Sequence, residues 1–170
     1  MLKLEPHDSH ALLAALGWIE LGNPREALGE LDRAAAQIQD HPAMLDMRWA
    51  ALVELKDWAA ALVVAQKLVE VAPDNVSGWL HRAYALRRVA GGGLPQAWNV
   101  LLPAAKQFPQ QTLVAFNLAC YACQMNRLDE AREWLERARV IEGVDAINQM
   151  ALADEDLKPL WPEIPKPKAK

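Results

Sequence analysis

Asn117-Leu-Ala-Cys-Tyr-Ala-Cys-Gln-Met-Asn-Arg-Leu-Asp-Glu-Ala-Arg-Glu-Trp-Leu-Glu-Arg-Ala138 is the stretch that decides the fold. It reads as two helical pieces joined by a short turn around Asn126. Ala131, Leu135 and Ala138 follow one another at steps of four and three, which places them on one helical face. Nothing in the stretch alternates polar and apolar residues as a half-buried strand would.

Upstream, the same arrangement recurs three times. The turns and second-helix starts read Gly22-Asn-Pro-Arg-Glu-Ala27, Lys56-Asp-Trp-Ala-Ala-Ala61 and Gly93-Leu-Pro-Gln-Ala97. The anchoring alanines Ala27, Ala61, Ala97 and Ala131 lie 34, 36 and 34 residues apart. Four residues after each comes Leu31, Ala65, Leu101 or Leu135. Seven after each comes Ala34, Leu68, Ala104 or Ala138. The pattern predicts helices over 8–21, 24–39, 43–55, 58–72, 76–90, 95–107, 112–125 and 128–141. Asp8 or Ser9, Asp57, Asn75 and Thr112 suit N-caps. Pro24 and Pro95 fall in a first turn, where a missing N–H costs nothing. Pro73 and Pro109 follow helix ends.

With these residues in place, the sequence resembles the tetratricopeptide repeat, whose period is about 34 residues. The resemblance covers roughly residues 8 to 143 and is best in the fourth segment. It departs from the pattern at the extra glycines Gly91, Gly92 and Gly93, at the long second helix before Pro42, and at bulky Trp49, where a small residue is usual. The resemblance implies an all-α solenoid of antiparallel helix pairs wound as a right-handed superhelix. Repeats fall at about 8–42, 43–75, 76–110 and 111–143, a C-terminal cap at 144–164, and a disordered tail at 165–170. One domain, 1–164, is expected. A helix pair alone cannot bury its apolar stripe, so the pairs must stack.

Composition narrows the function. The chain carries 18 Lys and Arg against 22 Asp and Glu, a formal charge of -4. That balance argues against a nucleic-acid partner. No apolar run approaches the roughly 18 residues of a membrane span, and the start of the chain does not read as a secretory signal. Two cysteines make no disulfide framework, so a cytoplasmic setting is expected; a bacterial source is a separate expectation.

No catalytic set converges, and no enzyme activity or cofactor is expected. Two serines, Ser9 and Ser77, and the single Thr112 leave little for hydroxyl chemistry. Cys120 and Cys123 form a Cys-x-x-Cys inside a predicted helix, where i and i+3 share a face. A redox pair more commonly sits at a helix N-terminus, and zinc needs two further ligands. His81, on the preceding first helix, is the only helper in view. Structural packing is the plainer reading, and no metal is assigned. His7, His10 and His41 read as cap and turn residues. Gly91–Gly93 lacks the Lys-Ser/Thr of a phosphate loop and reads as a turn insertion. Asp154, Glu155 and Asp156 do not match a calcium loop and read as a solvated cap. The seven tryptophans read as core, with one or two left to anchor a partner.

What remains is a binding surface. In the repeat family the first helix of each pair lines a concave groove. Matching positions puts Leu12, Leu16, Ile19 and Glu20, then Asp46, Ala50, Val53 and Glu54, on that wall. His81, Tyr84, Arg87 and Arg88 follow, and then Asn117, Cys120, Cys123 and Gln124. Tyr84 and Arg87 or Arg88 can share a face. Arginine pairs a carboxylate through two N–H groups, so an acidic peptide is expected near Arg87 and Arg88, and Arg88 against Glu54 is the competing ion pair. The family's clamp for acidic chaperone tails needs Lys and Asn where Leu12 and Leu16 stand, which argues against it. The expected function is a scaffold that binds a peptide or partner helix. A chaperone resembling those of type III secretion is the first alternative, and a thiol or metal role for Cys120 and Cys123 the second.

Overall fold

The computed structural model describes residues 6–166, with side chains from Ser9 onward. Among these residues all regular structure is helical. Two compact units divide the chain between Gly92 and Gly93.

The first unit contains α1 (Pro6–Glu20), α2 (Pro24–Asp32), α3 (Pro42–Glu54), α4 (Trp58–Val71) and α5 (Val76–Leu86). Consecutive helices pack on one another, and α1 on α3 and α3 on α5 as well. The anchoring residues do what their spacing requires. Ala27, Leu31, Ala61, Ala65 and Leu68 are fully buried. Small side chains let the helices approach closely, and Gly78 takes this furthest. A Cβ there would sit 3.0 Å from the Val69 backbone nitrogen of α4.

Helix ends follow the local chemistry, with exceptions. Asp57 and Asn75 cap α4 and α5 by accepting from the N–H groups of Ala60 and Ser77. His41 is also a cap, for its Nδ1 accepts from the Ala43 N–H. The sequence suggests only a turn residue there. The helix expected over 24–39 stops at Asp32 and resumes as a 3-10 turn, Ala36–Ile38. A distant side chain supplies the reason. Gln39 Nε2 donates to the carbonyls of Leu31 and Ala34, both at 2.9 Å, while Arg48 holds Gln39 Oε1 and Asp32 Oδ1. These bonds satisfy carbonyls that a helix end leaves open. Ile38 then turns inward and is 3% exposed. Similarly α5 ends at Leu86, not at 90. The chain doubles back so tightly that a Cβ on Gly92 would lie 2.0 Å from the Leu86 carbonyl oxygen.

The second unit holds α6 (Leu94–Leu101), α7 (Ala104–Gln107), α8 (Thr112–Gln124), α9 (Leu128–Glu142), α10 (Val144–Ala153) and a 3-10 segment, Glu155–Glu163. The single helix expected over 95–107 is broken at Leu102–Pro103, because the Pro103 ring has no N–H to continue the ladder. Thr112 is not a cap; Gln111 holds that position, and the Thr112 hydroxyl donates to Glu142 instead. Ala97, Leu101, Ala104, Ala131, Leu135 and Ala138 are buried as the repeat pattern requires.

After α10 the chain returns to α8. The 3-10 segment packs on both α8 and α10, with Leu157 and Leu160 at 0% and 1% exposure. Trp161 Nε1 donates to the Ala151 carbonyl at 2.8 Å. Arg132 of α9 grips Glu163 through two N–H groups, each at 2.7 Å. Buried Asn148 accepts from Arg139 and donates to the Pro165 carbonyl, which ties down the first residue of the expected tail. Residues 167–170 of that tail lie outside the described residues.

Candidate functional site

In the first unit, four of the residues singled out by sequence come together on α3, α5 and the turn after α5. His81 Nε2 lies 3.1 Å from Asp46 Oδ1. A carboxylate only accepts, so Nε2 carries the proton. The Ser77 hydroxyl is 2.9 Å from the same oxygen. Tyr84 stands one turn after His81, and Arg88 one turn after Tyr84. The Arg88 Cζ lies 3.4 Å from the Tyr84 ring centre, and its Nη1 donates to the Tyr84 carbonyl at 3.0 Å. The expected Arg88–Glu54 ion pair is not what holds Arg88; aromatic rings do. Glu54 is exposed at the end of α3, and Arg87 is the half-buried C-cap of α5.

The sequence missed the tryptophans that complete this group. Trp49 of α3 stacks on His81 with ring centres 3.7 Å apart and planes within 6°. It meets Tyr84 edge-on at 5.8 Å. Trp58, at the start of α4, lies 5.9 Å from Tyr84 and 5.4 Å from Arg88. The indole N–H of Trp49 is shielded from solvent and has no hydrogen-bond partner among the described residues. The bulky residue that breaks the repeat pattern is therefore the platform on which the site is built. The signal lay in that departure, together with an aromatic or imidazole at 49, 58, 81 and 84.

Arg88 is presented as a rigid fork. Stacking removes its rotamer freedom, and one of its five N–H donors is used among the described residues. A guanidinium held this way loses little further entropy on gripping a carboxylate. Asp46 supplies the opposite charge on the neighbouring helix.

In the second unit the residues expected on the inner wall behave differently. Asn117 turns its amide to the Leu113 carbonyl of its own helix. Gln124 donates to the Asp156 carbonyl at 2.8 Å. Cys120 is 2% exposed and Cys123 3%, because the C-terminal segment covers them. Cys120 is thus enclosed by its own chain, while Gln124 stays exposed beside its hydrogen bond to Asp156. Cys120 Sγ donates to Asp154 Oδ2 at 3.6 Å. One ligand atom each from Cys120, Asp154 and Asp156 lies within 4.8 Å of the others. Burial pushes the Cys123 thiol upward, and the charge of Asp156 adds to this against the opposing pull of Arg132. Asp154 and Asp156 are half-buried and Glu155 is exposed, and Asp154 caps the 3-10 segment by accepting from the Asp156 N–H.

Elsewhere, Trp98 is buried and the other six tryptophans are half-buried. Leu13, Leu16 and Leu21 are exposed along and just after α1. A cavity of about 300 Å³ between the α7–α8 connection and α9 is lined by Phe108, Val114, Trp134, Arg137 and Ile141. No described helix is long and apolar enough to cross a membrane.

No protein-family model and no curated protein matches the sequence. Solved structures do match the fold. A thermophilic tetratricopeptide protein from Thermus thermophilus aligns with a TM-score of 0.71 at 21% identity, over 91% of this chain and 81% of that one. MamA, residues 41 to the end, from Desulfovibrio magneticus RS-1 aligns with a TM-score of 0.67 at 18% identity, over 94% and 92%. The chain thus has the all-α helical-repeat fold of tetratricopeptide proteins.

Proposed function

We propose that this tetratricopeptide-like chain is a protein-interaction scaffold whose contact surface is the face of α3 and α5 in the first unit. Asp46, Glu54, His81, Tyr84, Arg87 and Arg88 make up that surface, with Trp49 and Trp58 as its platform. The ligand is an extended peptide or a helix that brings a carboxylate to Arg88. The observation that carries the reading is Arg88 itself, stacked on Tyr84 and positioned before any partner arrives. Aromatic and arginine side chains are also the groups that dominate measured interface energetics. The helical-repeat fold supports an interaction role in general, and function in such folds resides in the side chains of the site.

Selection of peptides from a random displayed library against the full chain, followed by calorimetry, tests this. Selected peptides should be enriched in Asp or Glu. Arg88→Ala should weaken them by about 10- to 100-fold, the range of a hydrogen bond to a charged group. Arg88→Lys should recover only part of the loss, since an ammonium lacks the fork. Unchanged affinity in Arg88→Ala, or NMR shift changes confined to other helices, would refute the assignment.

A further inference from the structure

We propose that Cys120, Cys123, Asp154 and Asp156 form a binding site for a thiophilic divalent cation of the zinc type. The donors come from two places that only folding joins, a Cys-x-x-Cys on α8 and an Asp-x-Asp opening the C-terminal 3-10 segment. Cys120 Sγ is 3.6 Å from Asp154 Oδ2, and the ligand atoms of Cys120, Asp154 and Asp156 all lie within 4.8 Å of one another. Tetrahedral zinc, with bonds of about 2.0–2.3 Å, holds its ligands about 3.3–3.8 Å apart. Rotation of the half-buried carboxylates covers the difference.

The fourth donor in this assignment is Cys123, which lies outside that 4.8 Å group. Cys123 is 3% exposed, one helical turn from Cys120. Its thiol has no hydrogen-bond partner among the described residues, and it lies close enough to Asp156 to feel that carboxylate's charge. Cys120 thus faces two carboxylates directly, and the buried Cys123 thiol one turn away is the donor that moves in to complete the shell.

The chemistry balances without an oxidant. Each S–H bond breaks, a sulfur–metal bond forms, the proton leaves to solvent, and the dication offsets two of the four negative charges that the thiolates and carboxylates bring together. Two sulfurs with two oxygens suit zinc, cadmium or cobalt(II), whereas magnesium and calcium prefer all-oxygen shells. A bound ion would fasten the C-terminal segment onto α8. It is separate from the peptide surface of the first unit, and either can fail without the other.

The test uses the full chain, reduced and stripped with chelator, titrated with cobalt(II) and then zinc. Cobalt(II) should produce a near-ultraviolet thiolate charge-transfer band at one equivalent, and zinc should abolish it. The chain has only these two cysteines, so the band reports this site alone. Zinc at a hundredfold excess over its Kd should raise Tm by about 5 °C or more, and magnesium should not. The double variant Asp154→Asn/Asp156→Asn keeps the helix cap, since asparagine caps as well as aspartate. It should fold by circular dichroism and lose both responses, as should Cys120→Ser. Absence of the thiolate band in the native chain would overturn the proposal. So would a band or a zinc-induced Tm rise undiminished in the double aspartate variant, or an equal Tm rise with magnesium.

Discussion

Leu157→Ala tests whether the C-terminal segment seals α8. Leu157 is 0% exposed near the start of the 3-10 segment, which packs on α8 and α10. Truncating it removes buried methyl and methylene groups and leaves a hole that Leu160, itself 1% exposed, is not free to fill. Leucine-to-alanine changes at such sites cost about 2–5 kcal/mol, and about 3 kcal/mol is the expectation for a segment with room to relax on its outer side. If local opening breaks this packing, about 3 kcal/mol raises the open population roughly a hundredfold. Cys120 and Cys123 report that opening, since both are buried on α8, the helix on which the segment packs. Urea denaturation gives the stability change, and labelling of the metal-free thiols with an aromatic disulfide gives the opening. A stability loss below about 1 kcal/mol with an unchanged labelling rate would refute the claim that this segment closes the α8 face.

Four further outcomes follow from the same contacts. Gly92→Ala should destabilise the first unit more than Gly91→Ala, by thermal melting. Gly91 only needs its positive φ of 79°, whereas a Cβ on Gly92 meets a backbone carbonyl that cannot rotate away. Gly78→Val should cost about 1–3 kcal/mol in urea unfolding, because the added methyls press on the Val69 backbone of α4. Glu163 is held below its ordinary value of 4.5 chiefly by its hydrogen bonds from Arg132. Its stabilising contribution is therefore complete above pH 4.5 and disappears as pH falls through the lower folded value. Glu163→Gln should be less stable than the native chain at about pH 7 and equal to it in strong acid, by urea titration at both pH values. Gln39→Ala should loosen the junction of α2 and the Ala36–Ile38 turn, seen as faster amide exchange at Ala34 and Ala35, because two carbonyls lose their donor.

The two units use equivalent helices for different ends. On α5 and the turn that follows it, His81, Tyr84 and Arg88 come at steps of three and four, and aromatic neighbours fix them in place. On α8 the corresponding stretch is sealed by the chain's own C-terminal segment. The sequence makes both look like one binding wall, since residues on a helical face carry no mark of what will cover them.

Local chemistry is what the sequence determined. The recurrence of Ala27, Ala61, Ala97 and Ala131 at 34 or 36 residues, with core residues four and seven further on, specified helix pairs, because side-chain direction along a helix is set by 3.6-residue periodicity alone. Asp57 and Asn75 were legible as caps for the same reason: a cap acts on its own backbone. Only the tertiary structure decided the rest. Gln39 and Arg48 end α2 from a distance, Trp49 meets His81 across 32 positions, and Asp154 reaches Cys120 across 34. Such contacts depend on how helices are placed in space, and spacing along the chain cannot encode which faces will meet.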